Sequence, residues 1–201
     1  MENHLYTDTS GIDVVFTWVD NNDLKWREKY QAHLSNSDTT KFALYSQDSA
    51  RFENHNELYY SLYSVENFLP WARKIYIVTD NQTPSWFKQS EHPKVTIIDH
   101  TAIIDSQYLP TFNSHVIEAH LHLSEQFIYF NDDVFVARVL PQEHFFHPNG
   151  IASIFIADKK ISTMLEKGVI TPTLKASLNS INLLKNHYNN ISINKPLVHT
   201  Y

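Results

Sequence analysis

Apolar residues fall in short blocks along the chain, and the spacing inside the blocks is of two kinds. The run Ile12-Asp13-Val14-Val15-Phe16-Thr17-Trp18-Val19 is β-branched, aromatic and apolar on both faces, which suits a strand buried in a parallel sheet. It ends at Asp20-Asn21-Asn22-Asp23, a series of turn formers. From Asn56 to Leu69 the pattern changes: Leu58, Leu62, Val65 and Leu69 recur at spacings of four, three and four, and Tyr59 and Phe68 widen the stripe. That is the signature of an amphipathic helix, and Pro70 stops it. Lys74 to Thr79 reads as a second strand closing at Asp80-Asn81, and Val95-Thr96-Ile97-Ile98 as a third closing at Asp99. Ser114 to Leu123 is predicted to be helical, capped by Asn113 or Ser114. Phe127-Ile128-Tyr129-Phe130 is the fourth strand and runs into Asn131-Asp132-Asp133. A last helix has Pro172 in its first turn and Leu174, Leu178, Ile181 and Leu184 along one side. Strands alternating with helices predict an α/β fold, a mainly parallel sheet flanked by helices.

In such sheets ligands lie beyond the carboxyl ends of the strands, and four of these ends carry acids: Asp20, Asp80, Asp99 and the pair Asp132-Asp133. For Asp80 and Asp99 the plain account is turn formation, since Asp and Asn end strands for that reason alone. The pair is different. Two adjacent carboxylates after a buried strand repel each other unless a cation or a proton intervenes. Hard oxygen ligands select Mg²⁺ or Mn²⁺, which keep positions open for phosphate oxygens.

Composition narrows the choice. With 16 Lys and Arg against 22 Asp and Glu, the net charge of −6 offers no footprint for nucleic acid. The 201 residues fit one domain, and no apolar run approaches the roughly 18 residues of a membrane helix, so a cytoplasmic protein is expected. There is no cysteine, so any nucleophile is oxygen or nitrogen. Gly11, Gly150 and Gly168 are the only glycines, too few and too scattered for a glycine-rich phosphate loop. A bound phosphate therefore needs side chains, a helix N-terminus or a metal. Twelve histidines invite a zinc reading around His115, Glu118, His120 and His122, but no two of these histidines have the i, i+4 spacing of a helical zinc site. Arg51, next to Phe52 and before Glu53, could bind phosphate as a fork, but the residues alone favour the plain reading as the partner of an acid. Trp18, Trp71 and Trp86 are expected to pack in the core rather than to stack on a base.

Longer runs carry a resemblance. Ile12 to Asp20, then Arg51-Phe52, Glu57-Leu58-Tyr59-Tyr60-Ser61-Leu62 and Pro70 to Asp80 continuing to Pro84-Ser85-Trp86, resemble the first two signature regions of the Stealth family. Leu109 to Glu118 and Leu123 to Phe135 look like the third. The resemblance implies a catalytic domain like that of nucleotide-diphospho-sugar transferases. It also implies an activity: transfer of a hexose-1-phosphate, an N-acetylhexosamine-1-phosphate by preference, from a UDP-sugar to a hydroxyl of an oligosaccharide or polysaccharide acceptor, with release of UMP. The setting would be capsule or exopolysaccharide synthesis, with peripheral association with export machinery at the inner membrane. Carried over residue by residue, it makes Asp132 and Asp133 the metal and pyrophosphate site and puts Asp13 near the catalytic centre, with Asp20 beside it. Arg51, Asn113, Ser114, Glu118 and Asn131 would bind or position substrate. His199 resembles a later catalytic histidine and competes with Asp13 for the role of general base.

The chain also departs from the family pattern. Asn21 stands where glycine is usual, and is expected to manage a left-handed turn. The spacer between Glu118 and Leu123 is about four residues shorter than usual, which bears on where Asp132 sits relative to the preceding helix. A fourth family region would follow Tyr201, so residues 1–201 are expected to be a single but incomplete catalytic domain. Two other readings follow: a metal-dependent glycosyltransferase, or a non-catalytic remnant that at most binds nucleotide-sugar.

Overall fold

The structure is a computed structural model that describes residues 11–36, 53–155, 161–168 and 171–188. Its centre is a four-stranded sheet of β1 (Asp13–Thr17), β2 (Ile75–Thr79), β3 (Val95–Asp99) and β4 (Phe127–Asn131), in the order β3-β2-β1-β4. Every pairing is parallel, with Val14 opposite Ile75 and Ile128, and Ile77 opposite Ile97. The chain moves outward from β1 to β2 and β3, then returns to add β4 on the other side of β1. The direction therefore reverses between β1 and β4, and a crevice opens there at the carboxyl ends.

Alternation along the strands builds two cores. Val14, Phe16, Ile75 and Ile77 face α2 (Glu57–Phe68) and bury Leu58, Leu62, Val65 and Leu69. Val15 and Val78 face the other way, against Ile98, Ile103, Ile117, Leu121 and Leu123 around α3 (His100–Ile103) and α4 (Ser114–Glu118). The predicted stripe of α2 is thus the buried one. Two serines interrupt it, and they have their own function: Ser61 Oγ donates to the carbonyl of Val134, and Ser64 Oγ accepts from the backbone N–H of Val136 at 3.0 Å. They tie the segment after β4 to the helix. Among Val134 to Ala137 only Val136 is buried, so this apolar run is a tethered loop and not a continuation of the sheet.

Two elements differ from the sequence expectation. α4 ends at Glu118 instead of Leu123, because Leu121 and Leu123 are both buried and one helical face cannot hold residues two apart. The helix α1 (Leu24–Ser35) has no apolar stripe to reveal it. Asp23 caps it, accepting from Trp26 N–H at 2.8 Å, and its inner face is aromatic: Trp26, Tyr30 and His33 all pack on Phe112, with ring centroids 4.9–5.4 Å apart. Two further helices, α5 (Ile161–Glu166) and α6 (Pro172–His187), follow, and of the described leucines of α6 only Leu174 is buried. Asn21 is not left-handed; the described non-glycine residues with positive φ are Asn56 at 66° and Asn81 at 55°.

Candidate active site

The crevice between β1 and β4 is a cleft of about 300 Å³. Thr17, Trp18 and Val19 leave β1 along one wall, and Asn131, Asp132 and Asp133 leave β4 along the other. Trp26 from α1, Phe112, and Ser114 and Ile117 of α4 close the far side, with Glu53, His100 and Thr111 completing the described lining. Ser114 and Asp132 thus face one space despite the short spacer after Glu118.

The cleft is acidic. Burial, and then the neighbouring Asp133 carboxylate, push the Asp132 carboxyl up to about 6, with a smaller push from Glu57. Asp133 itself is exposed. No Lys or Arg lines this cleft among the described residues. A diphosphate entering it would meet net negative charge, and an oxygen-ligated divalent cation answers both needs at once. Two carboxylates and no soft ligand fit Mg²⁺ or Mn²⁺, which are held by one or two carboxylates and complete their shells with water and phosphate. Asp132 and Asp133 are the residues that would hold it. Among the described residues no three His, Asp or Glu side chains converge to form a metal site unaided. His120 is tied to the backbone of α4, Nδ1 lying 2.7 Å from the carbonyl of Val116.

Neutral polar groups surround the pair. Tyr129 Oη donates to Asn131 Oδ1 at 2.7 Å, so Thr17 Oγ1, 3.0 Å away, donates to the phenol oxygen. Burial pushes the Tyr129 phenol up to about 12; the charges of Glu118, Asp132 and Asp133 add to this, and the Thr17 bond opposes it. The proton stays on the phenol at neutral pH. Asn131 Oδ1 is therefore occupied, which turns its amide nitrogen away from Tyr129. Tyr129→Phe should leave the fold intact but free that amide to flip, weakening the binding of UMP with Mg²⁺ in the cleft about tenfold. Calorimetric titration checks this, and an unchanged affinity would refute the positioning role. His100, missed by the sequence reading, is 2% exposed, and burial lowers its pKa against the opposing pull of Asp80 and Asp99. Its one sequence signal is position, directly after a strand-end aspartate.

The structure separates the residues expected at the centre. Asp13 opens β1 and lies at the opposite end of the strand from the cleft, fully buried. Its carboxylate accepts from Arg73 Nε at 2.8 Å, Arg73 Nη2 at 2.6 Å and the Lys74 N–H at 3.2 Å. Gly11, at φ 117°, allows this close approach, since a Cβ there would sit 3.1 Å from the Arg73 side chain. Asp13 thus stands apart from the cleft, in a buried ion pair with Arg73. Asp20 is not beside it but beyond the other end of β1, where its backbone N–H and carbonyl are both bonded to Gln82 at 2.8 Å and its Oδ1 accepts from the Asn22 N–H. Asp99 caps α3, accepting from the Thr101 N–H, and Asp80 pairs with Lys29 at 2.6 Å, as turn and packing roles would have it. Asn113 caps α4 through the His115 N–H at 3.1 Å, so its amide oxygen is used locally. Glu118 is not part of the described cleft lining; its charge reaches the Tyr129 phenol. Arg51 and His199 lie outside the described residues.

The model of Stealth protein conserved region 2 matches residues 51–154, more than half of the chain, and that of conserved region 1 matches residues 11–38. The chain belongs to the Stealth family. Region 2 runs through both later stretches of resemblance, and the two regions together contain every described residue lining the cleft. The chain is 60% identical to the capsular polysaccharide phosphotransferase LcbA of Neisseria meningitidis, over all of this chain and 55% of that protein. It is 58% identical to the capsular polysaccharide phosphotransferase cps12A of Actinobacillus pleuropneumoniae, over 96% of this chain and 52% of that one. An exopolysaccharide phosphotransferase of Streptomyces coelicolor is 45% identical over 73% of this Stealth chain and 16% of its own length. The chain thus spans about half the length of the capsular relatives it matches.

Proposed function

We propose that this Stealth chain transfers a hexose-1-phosphate, an N-acetylhexosamine-1-phosphate by preference, from a UDP-sugar to a saccharide hydroxyl in capsular or exopolysaccharide synthesis. The observation that carries this reading is the carboxylate pair Asp132-Asp133 at the reversal point of a parallel sheet, in a cleft whose described lining has no cationic side chain. The names of its relatives, capsular polysaccharide phosphotransferases, supply the reaction class.

In this reaction the acceptor oxygen bonds to the β-phosphorus, the bond from that phosphorus to the bridging oxygen breaks, and UMP leaves with the bridging oxygen. Protein groups contribute mainly by positioning and charge neutralisation. Asp132 and Asp133 would hold Mg²⁺, which supplies charge neutralisation at the diphosphate. Asn131, its Oδ1 held by Tyr129, would offer its amide N–H groups as donors in the cleft, and Ser114 would add a hydroxyl. Thr17 and Tyr129 hold this constellation from behind. His199 is the residue retained as the base for the acceptor proton, Asp13 being committed to Arg73. The reaction would run on the cytoplasmic face, where nucleotide sugars are made, beside the inner-membrane machinery that exports the polymer. Among the described residues no helix is long and apolar enough to cross a membrane.

Incubating the chain with UDP-N-acetylhexosamines, a capsular oligosaccharide and Mg²⁺ should release UMP, and EDTA should stop it. Release of UDP would replace this reading with an ordinary glycosyltransferase. Binding of donor without release of either would make the chain a nucleotide-sugar-binding piece of a longer enzyme.

A further inference from the structure

We propose that a second pocket, which shares Trp18 with the cleft, binds a sugar ring of the acceptor saccharide; this rests on the transferase reading above. The pocket measures about 380 Å³. Trp18 lines both spaces, and one segment serves both, with Glu53 in the cleft and Asn54 and Asn56 in the pocket. The charge of the next residue, Glu57, reaches Asp132. The two spaces are therefore neighbours, joined through Trp18 and the segment 53–57.

The lining has the chemistry of a pyranose site. A sugar ring needs an apolar surface for its C–H face and short polar groups for its hydroxyls. Trp86 provides the first, beside the core residue Trp18, and Asn56, Thr83 and Ser85 the second. Trp86 is half-buried and held by Tyr59, His92 and Phe87 at centroid distances of 5.3, 6.0 and 6.2 Å, so its indole is set before any ligand arrives. The pocket wall is equally fixed, since Gln82 clamps the backbone of Asp20 on both sides and Asp23 Oδ1 is spent on capping α1. By contrast, the side chains of Asn56, Thr83 and Ser85 make no hydrogen bond to another described residue. Asn56 holds a left-handed backbone at φ 66° without using its amide as a helix cap, the kind of local strain that collects at ligand sites.

Charge separates the two spaces by ligand. The pocket contains Asp20 and Asp23, no Lys or Arg among its described lining, and no adjacent carboxylate pair to hold a cation for phosphate. Sugar hydroxyls can donate to those acids, whereas a diphosphate would be repelled. The pocket thus fits a neutral saccharide, and the cleft fits the metal-bound nucleotide.

The test is direct binding without turnover, using methyl glycosides of glucose, galactose and N-acetylglucosamine as probes, followed by saturation-transfer NMR, with UMP and Mg²⁺ titrated in parallel. Ser85→Phe fills the pocket from an exposed position. Asn56→Gly removes the amide while easing the left-handed backbone, so it should fold at least as well. At least one glycoside should bind the unaltered chain in the absence of nucleotide. Ser85→Phe should abolish that binding and Asn56→Gly weaken it about tenfold, with UMP affinity unchanged. Three results would overturn the proposal: no glycoside binding to the unaltered chain, glycoside binding that survives Ser85→Phe in a chain with normal melting, or parallel loss of UMP affinity, which would assign the pocket to the donor. Because no transfer is measured, failure of the UMP-release assay and failure of this site are read separately.

Discussion

Asp132→Asn is expected to abolish sugar-phosphate transfer and, in the same chain, to raise stability at neutral pH. The folded Asp132 carboxyl titrates at about 6 instead of the ordinary 3.8, because it is buried and faces Asp133. Between those two pH values the folded chain keeps a proton that the unfolded chain has lost. Stability is therefore lost as pH rises through this window, and the loss remains in full above it. The amide of asparagine never ionises, so the variant escapes a cost on the order of 2 kcal/mol in metal-free buffer. The difference in unfolding free energy between variant and parent should be near zero below pH 4 and grow to its full value above pH 6. Mg²⁺ should stabilise the parent at pH 7.5 and leave the variant unchanged, since one of two carboxylate ligands is gone. Denaturant titrations across pH, with and without Mg²⁺, read all of this. A variant that is less stable at pH 7.5 in EDTA, or that keeps Mg²⁺-dependent transfer, would contradict the assignment of Asp132.

Asp13→Ala should have the opposite character, with a large loss of stability from which any loss of activity follows. The Asp13 carboxylate is fully buried and takes three N–H donors from Arg73 and Lys74. Removing one partner of such a pair costs about 3–5 kcal/mol, because the remaining charge keeps its burial and loses its counter-charge. For a chain of this size that corresponds to a melting temperature lower by about 10 °C or more. Replacing both partners, as in Asp13→Leu with Arg73→Met, should recover much of the loss, because no buried charge then remains. Thermal melts of the parent and the two variants decide the matter. A well-folded but inactive Asp13→Ala chain would restore Asp13 to the chemistry.

These two aspartates show how far the pattern of residues reaches. Both follow from strand positions, and both matched the family resemblance, yet one lies in the cleft and the other at the far end of β1. Four residues of strand, roughly 13 Å, separate the two ends of β1. The stripe of α2 and the doubly apolar face of β1 were legible because burial repeats at the period of the element, and neighbours in sequence report it. α1 was not, because Trp26, Tyr30 and His33 form an aromatic face that polar neighbours dilute, and its partner Phe112 lies far along the chain.

The α/β class, the four strands, the acidic ends of those strands and the family were all readable from the order of residues. Folding adds that β4 returns to the far side of β1, and with it that Thr17, His100 and Ser114 share a cleft with Asp132. It alone set the Tyr129 bond to Thr17, 112 residues away in sequence, the raised carboxyl of Asp132, and the second pocket beside Trp18. The physical reason is that local spacing records which side of an element is buried. Charge, proton affinity and ligand shape depend on which distant segments meet there.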